Sequence, residues 1–237
     1  MKAARCTLLA WDTEFWGRPI GRVADGPLDA DRLQAVDTWA AEHEVDCLFY
    51  LAHTYDVPST HVAEAGGFRC VDVRVDFDCK TRLVEPAPPV RPGQPEDVDP
   101  LRAIARKSHD ITRFYADPRF PDEHCDALYD YWLVNSFEGY ADAVLVLEVD
   151  GRAAGYVTCH AAGDSGSIGL IGVEAAERGR GLGQTLVNGA IHWSKRRGLD
   201  RMTVASQGRN VAAQRAFEAC GFRTTSVGLW FHKWYAS

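Results

Sequence analysis

The sequence predicts a mixed α/β (α+β) fold on a partly parallel sheet, with a smaller α/β domain preceding a larger one. Three observations carry that prediction. Short apolar runs rich in β-branched residues alternate with longer stretches of helical periodicity. An Asp150-Gly151 turn separates AVLVLEVD (143–150) from RAAGYVTCHAA (152–162), a hairpin signal because Asp-Gly tolerates positive φ. The segment VEPAPPVRPGQP (Val84–Pro95) packs five prolines into twelve residues. Proline fixes φ and removes a backbone donor, so this stretch reads as a connector between domains. The expected layout is an N-terminal α/β domain over 1–84, a linker over 85–95 and a second domain over 96–237.

In chain order, RCTLLAW and PIGRVAD read as extended segments, followed by a helix around Ala30–Glu42 and the buried-strand pattern VDCLFYLAH. A short helix follows Pro58, then the strand RCVDVRVDF. Past the prolines come a helix near Asp97–Lys107, a loop HDITRFYADPRFP and a helix across Glu123–Phe137. The hairpin is next, then IGLIGV (Ile168–Val173), a helix through TLVNGAIHWSKRR, the strand RMTVAS, a helix from Asn210 and TSVGLWFHKW.

Composition narrows the function. Apolar residues at 46% and charged residues at 25% describe an ordinary globular chain. A net charge of −7 argues against a general nucleic-acid or anionic-membrane surface, so an anionic ligand must be met locally. Seven scattered cysteines with no CxxC pair read as reduced thiols of a cytoplasmic protein and predict no metal site. The N-terminus lacks the apolar core of a signal peptide, and no run is long enough to span a bilayer.

The stretch ERGRGLGQ (Glu177–Gln184) concentrates the chemistry. It lies between the strand IGLIGV and a helix, where a helix N-terminus offers unpaired N–H groups and partial positive charge to a phosphate. Glycine lets backbone approach an anion closely, and Arg178 and Arg180 add charged donors. The spacing is neither GxGxxG nor a P-loop.

What matches is R/Q-x-x-G-x-G/A, filled by Arg178, Gly181 and Gly183. With a preceding strand, a following helix and a further strand before Asn210, roughly Val90–Trp234 resembles the GNAT superfamily of acyl-CoA-dependent N-acyltransferases. The resemblance implies a C-terminal GNAT fold, acetyl-CoA as co-substrate and no metal. It assigns pyrophosphate contact to Arg178, Gly179, Arg180, Gly181, Leu182, Gly183 and Gln184. Pantetheine pairing falls to a bulged strand at Leu170, Ile171, Gly172 and Val173, with Asn210, Ala213 and Phe217 on the next helix. WDTEFWG, RFYADPRFP and the terminal LWFHKW further resemble the TDP-fucosamine acetyltransferase group, which acetylates an amine on a nucleotide-linked deoxysugar. That implies a small-molecule nucleotide-sugar amine as acceptor, direct transfer without a covalent enzyme intermediate, and a homodimer.

The loop residues Arg113, Phe114, Tyr115, Asp117 and Arg119 are acceptor-site candidates, their arginines suited to a diphosphate; an aromatic-plugged surface loop is the other reading. Trp11, Phe15 and Trp16 fit either packing or an acceptor-facing loop. The catalytic group is not identified: the family tyrosine that protonates the departing thiolate falls at Phe217. Other amines as acceptors, or an acyl-CoA-binding module without turnover, remain alternatives.

Overall fold

The computed structural model describes residues 4–235, leaving Met1–Ala3 and the final two residues of the expected layout outside it. The chain divides into two compact units, one holding residues up to Arg74 with Ser226 onward, the other Val75–Thr225.

In the first unit, β1 (Cys6–Leu8) runs antiparallel to β2 (Ile20–Val23). β2 runs parallel to β3 (Cys47–His53), with α2 (Ala30–Glu42) between them in sequence. Parallel neighbours need a long crossover, and the helical run supplies it. Asp29 starts α2 by accepting a hydrogen bond from Arg32 N at 2.9 Å. Between β1 and β2 lies α1 (Ala10–Trp16), which buries Trp16 while Trp11 and Phe15 stack with ring centroids 5.0 Å apart. α3 (Val57–Ala65) follows β3 and leads into β4 (Arg69–Lys80). The last strand, β10 (Arg223–Trp234), pairs antiparallel with β3 from Gly228–His53 to Trp234–Cys47. Alternation along these strands sends Leu48, Tyr50, Ala52 and Phe231 into one core with Val23, Val36, Ala40 and Phe68.

The second unit contains β5 (Val90–Pro92), α4 (Val98–Ser108), α5 (Arg113–Ala116) and α6 (Asp122–Asn135). β6 (Ala143–Val149), β7 (Arg152–Ala162), β8 (Ser165–Val173), α7 (Leu182–Arg196), β9 (Arg201–Gln207) and α8 (Val211–Ala219) follow. β5 through β8 form an antiparallel run, and β8 pairs with β9 in parallel, giving the mixed sheet. Helices cover both faces. A Cβ on Gly155 would meet Leu186 of α7, whereas one on Gly172, paired with Tyr156, would meet Ile104 and Ser108 of α4. Gly155 and Tyr156 are consecutive, so they point to opposite faces.

The expected domain boundary is corrected in two places. The proline-rich segment does not separate the units: Val90–Pro92 is a strand paired with Pro92–Leu145 to Val90–Leu147, inside the second unit. An edge strand tolerates proline because one row of its backbone groups needs no ladder partner. Arg91 pins this strand through Asp97 at 2.6 and 2.8 Å and Glu148 at 2.6 Å. At the other end, residues from Ser226 onward belong to the first unit, because the twelve-residue β10 is long enough to start in one unit and finish against β3 of the other.

Candidate functional site

Two departures from regular pairing shape the site. β8 pairs β9 only from Ser165–Arg201 to Ile168–Val204. Against β7, Ile168 pairs with Cys159 and Ile171 with Val157, so β8 carries one extra residue there. This is a bulge at Gly169–Leu170, closed by Leu170 N donating to Thr158 Oγ1 at 2.8 Å. Beyond Ile168 the β8 groups directed away from β7 have left their β9 register, and backbone donors become available to a ligand.

A cavity of about 560 Å³ lies here, lined by Ile171–Val173, Glu177–Gly179, Gly181–Gln184 and Val187. Asn210, Ala212, Ala213, Ala216 and Phe217 of α8 line it too, as do Ser108, Asp110 and Ile111. Gly179 and Gly181 hold φ of +79° and +81°, the left-handed region that favours glycine. Gly181 is the N-cap of α7 and no side chain caps that helix. A Cβ built on Gly179, Gly181 or Gly183 would meet nothing within 4 Å. An uncapped fifteen-residue helix beneath open space fits an anionic, phosphate-bearing ligand.

The arginines behave differently from expectation. Arg178 lines the cavity, but its guanidinium donates to Val173 O at 3.2 Å, Lys107 O at 3.3 Å and Ser108 Oγ at 3.5 Å. Arg180 is ion-paired with Glu177 and does not line the cavity. The backbone of the loop therefore faces the cavity more directly than its cations do. Asn210 caps α8, its side chain accepting from Ala213 N at 3.1 Å. Phe217 is buried, with Phe77 and Phe222 ring centroids at 5.9 and 5.8 Å. Leu170 lies at the bulge without lining the cavity.

The acceptor-loop candidates are not brought to this cavity. Arg113–Ala116 is the short helix α5, with Phe114 and Asp117 buried. Arg113 lies over the Phe114 ring at 4.6 Å, and Tyr115 Oη donates to Asp126 Oδ1 at 2.6 Å. Asp117 Oδ1 accepts from Arg119 N at 3.2 Å, leaving Arg119 the exposed one of the five. The aromatic-plug reading describes this segment, because its rings pack against α6.

Sequence reasoning missed the α4 wall. Ser108, Asp110 and Ile111 reach the cavity from the end of α4, which no local motif marks. Between them sits His109, whose Nε2 lies 3.3 Å from Tyr156 Oη and whose ring stacks on Tyr129 at 4.5 Å. Burial, then the charge of Arg178, lowers the His109 pKa to about 4, so the imidazole is neutral at pH 7. Burial raises the Tyr156 phenol above its ordinary value, keeping it a hydroxyl. Val187, Ala212 and Ala216 were missed as well, though Val187 and Ala216 repeat the helical spacing of Gly183 and Ala213.

A split between parallel strands, a bulge on one of them and a glycine-rich helix start thus meet at one cavity. Residues 107–222 match the model of the Acetyltransferase (GNAT) family, and the chain is an N-acyltransferase carrying that domain. It is similar to dTDP-fucosamine acetyltransferase from Escherichia coli, 27% identical over 238 residues that cover 95% of this chain and 96% of that protein. It is also similar to the spore coat polysaccharide biosynthesis protein SpsD of Bacillus subtilis, 23% identical over 81% of this chain and 68% of that protein. In fold it resembles a GCN5-related N-acetyltransferase from Sphaerobacter thermophilus, with a TM-score of 0.66 and 15% identity across 97% of this chain and 76% of that one.

Proposed function

We propose that the protein transfers the acetyl group of acetyl-CoA to the amine of a nucleotide-linked amino-deoxysugar. The carrying observation is the similarity to dTDP-fucosamine acetyltransferase, which extends over nearly the full length of both chains. A motif-sized match would support acyl transfer alone. When bound, acetyl-CoA supplies an activated thioester. Leu182, Gly183 and Gln184 N–H groups at the α7 start would meet its diphosphate, and the backbone of Ile171–Val173 would hold the pantetheine arm. Asn210 stiffens the facing helix, and Ala213 and Ala216 keep the channel open with small side chains. Exposed Arg119, which does not line this cavity, would meet the acceptor's diphosphate, whereas Arg113 lies over the Phe114 ring. A cytoplasmic homodimer completes the reading.

The test is incubation of the protein with acetyl-CoA and dTDP-4-amino-4,6-dideoxygalactose, alongside amines that lack the nucleotide. Mass spectrometry should show one acetyl group gained by the sugar nucleotide in preference to the others. Equal or greater acetylation of the simple amines would overturn the sugar reading and leave the acyltransferase intact.

A further inference from the structure

Acyl transfer from a thioester to an amine requires one proton to change hands. The amine nitrogen forms a bond to the acyl carbon and must lose a proton. The C–S bond breaks with its electron pair going to sulfur, which must gain one. Among the cavity-lining residues there is no tyrosine, histidine, cysteine or lysine. Phe217 has no proton to give. Glu177 is committed to its ion pair with Arg180, and Asp110 is exposed.

We propose that His109 carries this proton, accepting it from the attacking amine at Nδ1 and delivering it to the departing sulfur. The inference rests on acyl transfer to an amine and is independent of which amine it is.

His109 is half-buried and stands beside the cavity wall, without being one of the lining residues. His109 lies between Ser108 and Asp110, both on the cavity wall. Its partner Tyr156 packs directly behind Gly172, another wall residue: a Cβ on Gly172 would lie 2.8 Å from the Tyr156 ring and 3.1 Å from Ser108 Oγ. Gly172 belongs to the stretch of β8 that has separated from β9, where backbone donors are open to a carbonyl oxygen. The nitrogen that attacks and the sulfur that leaves are bonded to the same carbon, so a single ring nitrogen can serve both in turn.

The ring is also held for that task. It ends a stack of three rings, with Tyr115–Tyr129 centroids at 6.3 Å and Tyr129–His109 at 4.5 Å. Asp126 anchors Tyr115 at 2.6 Å, and Thr112 accepts from Tyr129 Oη at 2.7 Å. Tyr156 Oη engages Nε2, and no protein group among the described residues bonds Nδ1. With Nε2–H donating to Tyr156, Nδ1 presents a lone pair. The groups facing the ring are Tyr156 from β7, Tyr129 from α6 and Arg178 from the glycine loop. Burial and that nearby cation keep the ring neutral at pH 7, and they make its protonated form a strong donor to a thiolate. Atoms and charge balance: the amine's proton ends on the thiol, and the histidine returns to its starting state.

The experiment has two arms on the full chain. In the first, nitrogen-15 NMR follows the His109 ring of the unaltered protein as acetyl-CoA is added. The Nδ1 resonance should shift at saturation; an unmoved Nδ1 would overturn the proposal. This arm needs neither an acceptor nor a folded variant. In the second, thiol release with the sugar-nucleotide amine is compared for the parent, His109→Gln and His109→Gln/Phe217→Tyr. The expected kcat loss for His109→Gln is about a hundredfold or more, with acetyl-CoA affinity by calorimetry within about threefold of the parent. Adding Phe217→Tyr should recover about tenfold, because a phenol beside the sulfur supplies an alternative proton; a merely structural histidine would show no such rescue. A His109→Gln kcat within about threefold of the parent would overturn the proposal. If the parent itself releases no thiol with this amine, the acceptor assignment fails, and the NMR arm alone decides the role of His109.

Discussion

On its β8–α7–α8 side the cavity wall sets small residues, Gly172, Gly179, Gly181, Gly183, Ala213 and Ala216, among larger ones such as Ile171, Arg178 and Phe217. On its α4 side it is walled by Ser108 and Asp110, backed by His109, Tyr129, Tyr115 and the buried Tyr156. The first wall leaves open space above the backbone at Gly179, Gly181 and Gly183, where a ligand can approach. The second works by fixing side chains through stacking and hydrogen bonds between distant parts of the chain. Substitutions should therefore separate cleanly, with cofactor affinity moving on one wall and turnover on the other.

The largest effect expected on the glycine wall follows from Gly181→Val. The residue sits at φ +81° as the N-cap of α7, so a β-branched side chain is strained there and also fills the space above the helix start. The acetyl-CoA dissociation constant should rise about thirtyfold, or ~2 kcal/mol. The His109 ring resonances of the free protein should stay where they are. Calorimetry checks the first and NMR the second. Unchanged affinity in a folded variant would break the comparison at its stronger side.

A smaller effect belongs to the α4 wall and is read as stability against pH. His109 has a folded pKa of about 4, below its ordinary value near 6.5. Between those values the unfolded chain binds a proton that the folded one refuses, so stability rises with pH across that window and is level above it. The melting temperature should fall as pH drops from about 6.5 to about 4, and it should fall less steeply in His109→Gln. Asp97, held down by Arg91, and Asp130, held down by Arg102 and then Arg106, act lower on the scale. Their depressed carboxylates contribute stability above the ordinary carboxylate range that is lost only as pH falls through their folded values. Identical slopes for parent and variant between pH 6.5 and 4 would show that the His109 ring is not the titrating group.

The same division explains what could be read in advance. The glycine wall was legible because its requirement is local: positive φ at Gly179 and Gly181, a strand before them and a helix after, all within about one supersecondary unit. The bulge at Gly169–Leu170 adjoins the expected stretch Leu170–Val173, and Asn210 caps α8. The α4 wall was illegible because His109, Tyr129 and Tyr156 come from three elements, and nothing in HDITRF marks the histidine over its neighbours. The arginines of RFYADPRF drew attention as charges, whereas the structure uses that segment mainly as packing for α6. The proline-rich stretch misled for a related reason: density of proline excludes a central strand but leaves an edge strand open, and only the partner β6 decides.

Phe217 belongs both to the cavity lining and to an aromatic cluster, and its substitution should have the smallest effect. The ring lines the cavity from α8 yet is buried between Phe77 and Phe222, so most of it is packing and one edge is site. Phe217→Tyr adds a single hydroxyl. If that oxygen enters the cavity, it meets space and polar backbone there and costs little; if it turns toward Phe77 or Phe222, it is buried without a partner at about 1–3 kcal/mol. The cavity-lining position favours the first outcome. A proton donor already present makes a second one nearly redundant, so turnover should rise by no more than about threefold, with acetyl-CoA affinity preserved. A rise of a hundredfold or so would mean the parent lacks any effective donor, and that the α4 wall takes no part in proton transfer. A loss of turnover together with a lower melting temperature would place the hydroxyl in the aromatic cluster, making Phe217 a core residue that only borders the site. Steady-state thiol release and a thermal melt on the one variant distinguish all three results.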